Sequence, residues 1–173
     1  MYLSDSLSKL SSACINAFLL TSSKFGSDKF SVKYFQNNLS SSYGKMAKSY
    51  LASRGITDEI IKEFEIGLSL DSRDDLTKLL VKKEYDLAIL NRIGLSSDDR
   101  DIYNDRIMFP LYDVTGKVVG FSGRIYHTED QSKYINTKET DIFKKGEMLY
   151  HYHIAKEECR LKKNVIVMEG FMD

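Results

Sequence analysis

Two β-rich runs, Arg106 to Tyr112 and Lys117 to Tyr126, stand on either side of Asp113-Val114-Thr115-Gly116. Turn chemistry between two such runs is a hairpin signal. A chain with this hairpin near its middle must commit part of itself to an antiparallel sheet. The only proline, Pro110, falls inside the first run. That placement suggests a sheet edge or a bulge, because proline has no N–H to give to a ladder. Three glycines follow at 116, 120 and 123.

Upstream the pattern is helical. Leu7, Leu10, Cys14, Ala17 and Phe18 recur at helical spacing, and the polar stretch Thr21 to Asp28 reads as a loop. A second helix carries Phe30, Tyr34 and Phe35 on its buried side. A third starts near Ser42, runs through Tyr43, Met46, Ala47, Tyr50 and Leu51, and stops at Gly55, a natural residue just past a helix end. Thr57 can cap a short helix bearing Ile60, Ile61 and Phe64, with Asp58 and Glu59 at its positive end. Two further pieces hold Leu76, Leu79 and Leu80, then Leu87 and Leu90, ending at Gly94.

Downstream of the hairpin, Lys133-Tyr134-Ile135-Asn136 reads as extended and His151 to Arg160 as a helix. Asn164 to Met168 is a nearly continuous apolar run, the pattern of a strand buried on both faces. Such a strand needs neighbours that the sequence does not supply, so the chain reads as a fragment of a longer protein. The fold class is therefore α+β. A helical half (1–95) precedes a small mixed or antiparallel β region (103–150), and the chain closes on one α/β strand (164–173).

Composition narrows the chemistry. Of 173 residues, 25 are basic and 25 acidic, so a polyanion partner would need local clustering of charge. Cys14 and Cys159 lie far apart without a C-x-x-C neighbour, and His127, His151 and His153 do not complete a zinc site. The cysteines read as reduced thiols of a cytoplasmic protein. Ala13 to Leu20 is too short to span a membrane and is interrupted by Asn16.

Within Arg106 to Gly146, the cations Arg106, Arg124, Lys133, Lys138, Lys144 and Lys145 interleave with Tyr126, Tyr134 and Asn136. Cations for phosphates and aromatics for bases are what a single-strand nucleic-acid surface requires. A solvated face paired with Glu129, Asp130, Glu139 and Asp141 is the plainer reading of the spacing alone. In Gly120-Phe121-Ser122-Gly123-Arg124 the small residues allow a ligand backbone close approach, or mark a bulged strand. Glu169 follows the last strand, where open α/β sheets place ligands. A single carboxylate there holds Mg²⁺ poorly, and a solvated glutamate is the plainer reading. Ser122 lacks a His–Asp partnership, so no nucleophile constellation stands out.

Taken in order, these motifs resemble a known family. Arg106-Ile107-Met108-Phe109-Pro110, Val119-Gly120-Phe121-Ser122-Gly123-Arg124, Lys133 to Thr140, Phe143-Lys144-Lys145-Gly146 and Leu149-Tyr150 match the bacterial replicative DNA primase in sequence and spacing. Tyr50-Leu51, Arg54-Gly55-Ile56 and Phe64-Glu65-Ile66-Gly67 resemble it upstream. Glu169-Gly170-Phe171-Met172-Asp173 is similar to the opening of that family's Toprim domain. The likeness is good from about position 42 onward and loose before it.

The resemblance implies an RNA polymerase that lays short RNA primers on single-stranded DNA from ribonucleoside triphosphates. Residues 1–163 would be the amino-terminal subdomain of its catalytic core and 164–173 the truncated start of Toprim. Arg54, Arg106, Arg124, Lys133, Tyr134, Asn136 and Lys145 match positions lining the template and nucleotide cleft. Glu169 matches the Toprim glutamate of acid–base or metal chemistry, and Asp173 an acidic position after it. Mg²⁺ or Mn²⁺ is the implied metal, with ligands mostly beyond the chain, so the fragment alone is expected to be inactive. Zinc and the replicative helicase would engage separate domains absent here. Ile102-Tyr103-Asn104-Asp105 departs from the family, which carries more basic residues there. Lys138 stands in place of the usual proline and Ser122 in place of the usual glycine. The competing readings are a non-catalytic single-strand-binding or interaction module, and another Toprim nucleotidyltransferase or nuclease.

Overall fold

The computed structural model describes residues 27–127, 132–140 and 142–168. Helix α1 (Ser27–Ser40) buries Val32, Phe35 and Leu39 at helical spacing. A single 3-10 turn (Ser42–Gly44) follows, in which the Ser41 hydroxyl accepts the Tyr43 N–H at 3.2 Å. Gly44 is obligatory in this turn, since a Cβ would lie 1.9 Å from the Leu39 carbonyl oxygen. Helix α2 (Lys45–Ser53) buries Ala47 and Leu51. It ends as the sequence predicts, with Gly55 at φ 79° and Ile56 N–H donating to the Leu51 carbonyl at 3.0 Å. Tyr43 and Met46, read on the same run as Ala47 and Leu51, are 71% and 65% exposed. Tyr43 lies in the 3-10 turn and Met46 in the first turn of α2.

Thr57 caps α3 (Asp58–Glu63), its hydroxyl accepting the Ile60 N–H at 3.5 Å. Strand β1 (Gly67–Ser69) comes next and was not legible as a strand. Helix α4 (Asp75–Lys82) and helix α5 (Leu87–Arg92) follow, burying Leu76, Leu80 and Leu90. A small hairpin of β2 (Ser96–Ser97) and β3 (Arg100–Asp101) then turns the chain back. Asp101 in β3 caps α4 from outside, accepting the N–H groups of Leu76 and Thr77 at 3.0 and 2.8 Å. A carboxylate suits that positive helix end.

The main sheet contains β4 (Arg106–Tyr112), β5 (Val118–Arg124) and β6 (Tyr134–Asn136), in the order β1-β4-β5-β6, with every pair antiparallel. The predicted turn joins β4 to β5. Asp113 Oδ1 accepts the N–H groups of Thr115 and Lys117 at 2.8 and 3.0 Å, and Gly116 takes φ 83°. Pro110 does not lie on an edge strand, because β4 sits inside the sheet. Strand β1 reaches only as far as Gly67 opposite Met108, so Pro110 lies past its end and leaves no β1 partner unbonded. The bulge expected of it appears next door, where register shifts between Leu111 and Tyr112.

Both faces of β4 are covered. Met108 and Tyr112 cluster with Val32, Phe35, Leu76, Leu80, Leu90 and Phe121, while Ile107 and Phe109 cluster with Leu39, Ala47, Leu51, Ile66 and Leu68. The glycines of β5 allow close approach, but of the protein's own side chains. A Cβ on Gly120 would meet Thr137 Oγ1 at 2.8 Å, and one on Gly123 would meet Tyr103 Cδ1 at 2.9 Å.

Helix α6 (Tyr152–Lys162) closes the described fold. The run after it, expected as a strand buried on both faces, has no strand partner among the described residues. Val165, Ile166 and Val167 are 65%, 83% and 71% exposed. A strand exists only where another backbone completes its ladder, and no described strand lies beside this run.

Candidate nucleic-acid interface

Strand β5 ends in Arg124, which pairs in register with Tyr134 of β6. The guanidinium sits between two tyrosines. Its Nε donates to the Tyr50 hydroxyl at 2.9 Å and its Nη1 to the Tyr134 hydroxyl. The guanidinium carbon also lies 4.9 Å from the Tyr134 ring centre and 5.7 Å from that of Tyr50, within cation–π range. Partial burial alone would lower the Arg124 pKa. The hydrogen bonds to Tyr134 and Tyr50 outweigh it and hold the group above its ordinary value. The result is a fixed cation, with no hydrogen bond from its Nη2 among the described residues, framed by rings that can stack on bases.

A carboxylate braces the frame from behind. Tyr50 leans on Tyr126, ring centres 6.5 Å apart, and the Tyr126 hydroxyl donates to Asp105 at 2.8 Å. His127 Nε2 lies 2.8 Å from the other Asp105 oxygen. Burial, followed by the bond to Asp105, raises the Tyr126 pKa, so its hydroxyl stays protonated as a donor. Asp105 thus occupies the place where the sequence resemblance led one to look for cations.

The predicted site residues divide. Lys133 is exposed beside Tyr134, its carbonyl tied to Ile125 N–H at 3.0 Å. Asn136 accepts the Ser122 hydroxyl at 2.6 Å. With Lys145, Asn136 borders a groove of about 590 Å³ that also includes Phe143, Tyr150 and His151. Arg54 is exposed at the end of α2, one turn beyond Tyr50. Arg106 does not line the cleft. It is 3% exposed, and its Nη1 donates to the carbonyls of Gly123 and Ser132 at 3.2 and 3.1 Å. Burial pulls its pKa down, against the opposing pull of Asp105. Arg106 therefore links β4, β5 and the approach to β6, and holds Lys133 and Tyr134 in place indirectly.

Glu169 and Asp173 lie outside the described residues. Among the described residues, no three His, Cys, Asp or Glu side chains gather closely enough to hold a metal ion. The described residues therefore do not fit a metal site, and no step is assigned to one. Tyr126 was named within the cationic block, whereas Tyr50 and Asp105 escaped the site reading, because a tyrosine on a helix's apolar side and an acidic residue beside a strand carry no local mark of their partners.

The family of the DNA primase catalytic core, N-terminal domain, matches residues 34–156. The chain belongs to the DNA primase family. It is 40% identical over 135 residues to a DNA primase of Geobacillus stearothermophilus, covering 75% of this chain and 22% of that protein. A Staphylococcus epidermidis DNA primase is 41% identical over 136 residues, covering 75% and 23%. The chain thus spans under a quarter of the length of these primases. The fold agrees with the RNA polymerase domain of Mycobacterium tuberculosis primase at a TM-score of 0.80 and 27% identity, over 86% of this chain and 50% of that one. A primase catalytic domain solved bound to single-stranded DNA matches at 0.71 and 32% identity, over 78% and 43%. The α+β class and the primase kinship expected from the sequence both hold. Among the described residues, no helix is long and apolar enough to cross a membrane.

Proposed function

We propose that this chain supplies the template- and nucleotide-holding surface of a DNA-directed RNA polymerase that makes short RNA primers on single-stranded DNA. The observation that carries the reading is the Arg124 clamp, a guanidinium fixed between Tyr50 and Tyr134 with Lys133 exposed alongside. Phosphate contacts set the register of a bound strand, and rings accept any base, which suits a template of varied sequence. The kinship with a primase catalytic domain bound to single-stranded DNA supports the same partner.

Lys145 and Asn136 at the groove are assigned to the incoming ribonucleotide or the strand beside it, and Arg54 to an outlying phosphate. Arg106 is reassigned as a positioning residue. Glu169 and Asp173 are proposed as metal or acid–base residues on the strength of their motif; Mg²⁺ or Mn²⁺, held with ligands from other segments, would supply Lewis-acid chemistry there. The subdomain boundary near 163, a cytoplasmic site, and helicase and zinc contacts through other segments belong to the same reading.

The test is fluorescence anisotropy of labelled oligo-dT on the full-length protein over a range of salt. Log affinity should fall with log salt, with a slope of about −0.7 per phosphate neutralised. Arg124→Ala should flatten that slope by about one such step. Salt-independent binding, or a variant indistinguishable from the parent, overturns the reading.

A further inference from the structure

Residues 29–57 contain Lys29, Lys33, Lys45, Lys48 and Arg54 and no aspartate or glutamate, in a chain whose 25 cations and 25 carboxylates cancel overall. The 3-10 turn and α2 lie within this stretch. Only Lys48 of the α2 cations meets a carboxylate, Asp58 at 3.6 Å. Lys45 and Arg54 have no ion pair among the described residues.

Tyr43, Met46 and Tyr50 are spaced i, i+3 and i+7, so they run along one side of the turn and helix over about 10 Å. Tyr50 is the residue that clamps Arg124. Tyr43 and Met46 extend the line outward and are 71% and 65% exposed. The backbone beneath Tyr43 is held rigidly. Ser41 accepts its N–H and donates to the Asn38 carbonyl at 2.7 Å, and Gly44 packs directly against Leu39. A large ring and a thioether held in water on a fixed backbone, within a stretch of sequence free of carboxylates, form a surface suited to a partner with flat apolar groups and many negative charges.

We propose that Tyr43 and Met46 prolong the interface beyond Arg124 along α2, as a stacking platform for a single nucleic-acid strand whose phosphates meet Arg54 and Lys45. The assignment rests on the proposed single-strand reading. A protein partner would need no carboxylate-free stretch, whereas a polyanion would, since each carboxylate would repel it. Stacking on exposed aromatics is also indifferent to base identity, as a template path requires.

The experiment uses the full-length protein and labelled oligo-dT of about 16 nucleotides, the upper span of such sites. Tyr43→Ala should weaken binding at least about five-fold, the low end for loss of one stacked base. Its salt slope should match the parent, because no ion contact is lost. Tyr43→Phe should bind like the parent, and Arg54→Ala should flatten the slope. A second measurement avoids variants altogether: an oligonucleotide carrying 5-iodouracil, cross-linked by light to the unmodified protein, should yield an adduct on the peptide bearing Tyr43.

If Tyr43→Ala binds like the parent, and no adduct forms there while Arg124→Ala weakens binding, the platform is overturned and the single-strand reading stands. If Arg124→Ala is also without effect, the underlying reading fails with it. A change in oligomeric state in Tyr43→Ala, with strand affinity intact, overturns the platform in favour of a protein contact.

Discussion

Thr137 and Tyr103 share a buried hydrogen bond of 2.7 Å between their hydroxyls, and this pair locks the end of β6 to the centre of the sheet. The Tyr103 hydroxyl also bonds the Phe121 carbonyl at 3.0 Å, and Thr137 Oγ1 receives the Phe121 N–H at 2.8 Å. Thr137→Val keeps the volume and orphans the Phe121 N–H. Urea unfolding should show a loss of about 1–3 kcal/mol, the cost of a buried donor left unpaired. The slope against denaturant should not change, because the surface exposed on unfolding is the same.

Arg106 and Lys133 should separate stability from binding. Arg106→Met keeps the stem but orphans the carbonyls of Gly123 and Ser132. The buried Gly123 acceptor costs about 1–3 kcal/mol when left unpaired, whereas water can reach the exposed Ser132, so the melting temperature should drop by several degrees. Lys133→Ala, at an exposed cation, should leave melting unchanged and flatten the salt dependence of strand binding. The opposite pairing of effects would reverse the two roles.

Acid should weaken the fold through His151 and His153. His151 stacks on Phe64 with ring centres 4.1 Å apart, and His153 lies 4.5 Å from Tyr112. Burial is the main cause lowering both pKa values below 6.5. His153 adds to it for His151, and Lys156 for His153, while Glu63 opposes the first and Asp113 and Glu65 the second. Both are therefore neutral in the fold at pH values where the unfolded chain already binds protons. Their stabilisation is complete above the unfolded value and is lost as pH falls from about 6.5 toward the folded values. Chemical unfolding at stepped pH should show stability falling over that range, and His151→Phe should make the fall shallower.

Glu169→Gln in the full-length protein should leave folding and single-strand affinity intact and lower primer synthesis by about two or more orders of magnitude. The change keeps shape but removes charge and basicity. Near-normal synthesis by this variant would sink the acid–base and metal role assigned to Glu169.

Most of the architecture was legible where its chemistry is local. Asp113 and Gly116 bond and bend within their own turn, and Gly55 and Thr57 end and start helices through neighbours a few residues away. Strand β1 was invisible because three residues show no periodicity and their partners lie at 106–108. Arg106 was read as a cleft residue because its partners are backbone carbonyls, which every residue has and no side-chain pattern reveals. The clamp was half legible: Arg124 and Tyr134 stood out as cation and ring, whereas Tyr50, 74 positions from Arg124, read as one more residue on an apolar helix side. The run 164–168 shows the limit from the other side, since hydrophobicity states a need for neighbours without providing them.

The two ladders of β4 differ greatly in the chain length they enclose. Strand β5 returns across a turn that closes from Asp113 to Lys117, whereas the Ser69–Arg106 contact spans 37 positions and two helices. The entropy of bringing ends together grows with the intervening length, so the two halves of the sheet should assemble in sequence. The β4–β5 ribbon should organise early, and β1 should pair only after the chain carrying α4 and α5 has compacted. Weakening the ribbon at Phe109 should then slow refolding, while weakening β1 at Leu68 should mainly hasten unfolding. The clamp should follow the same timetable: its arginine and one tyrosine belong to the ribbon and β6, and Tyr50 should complete it when the helical half docks.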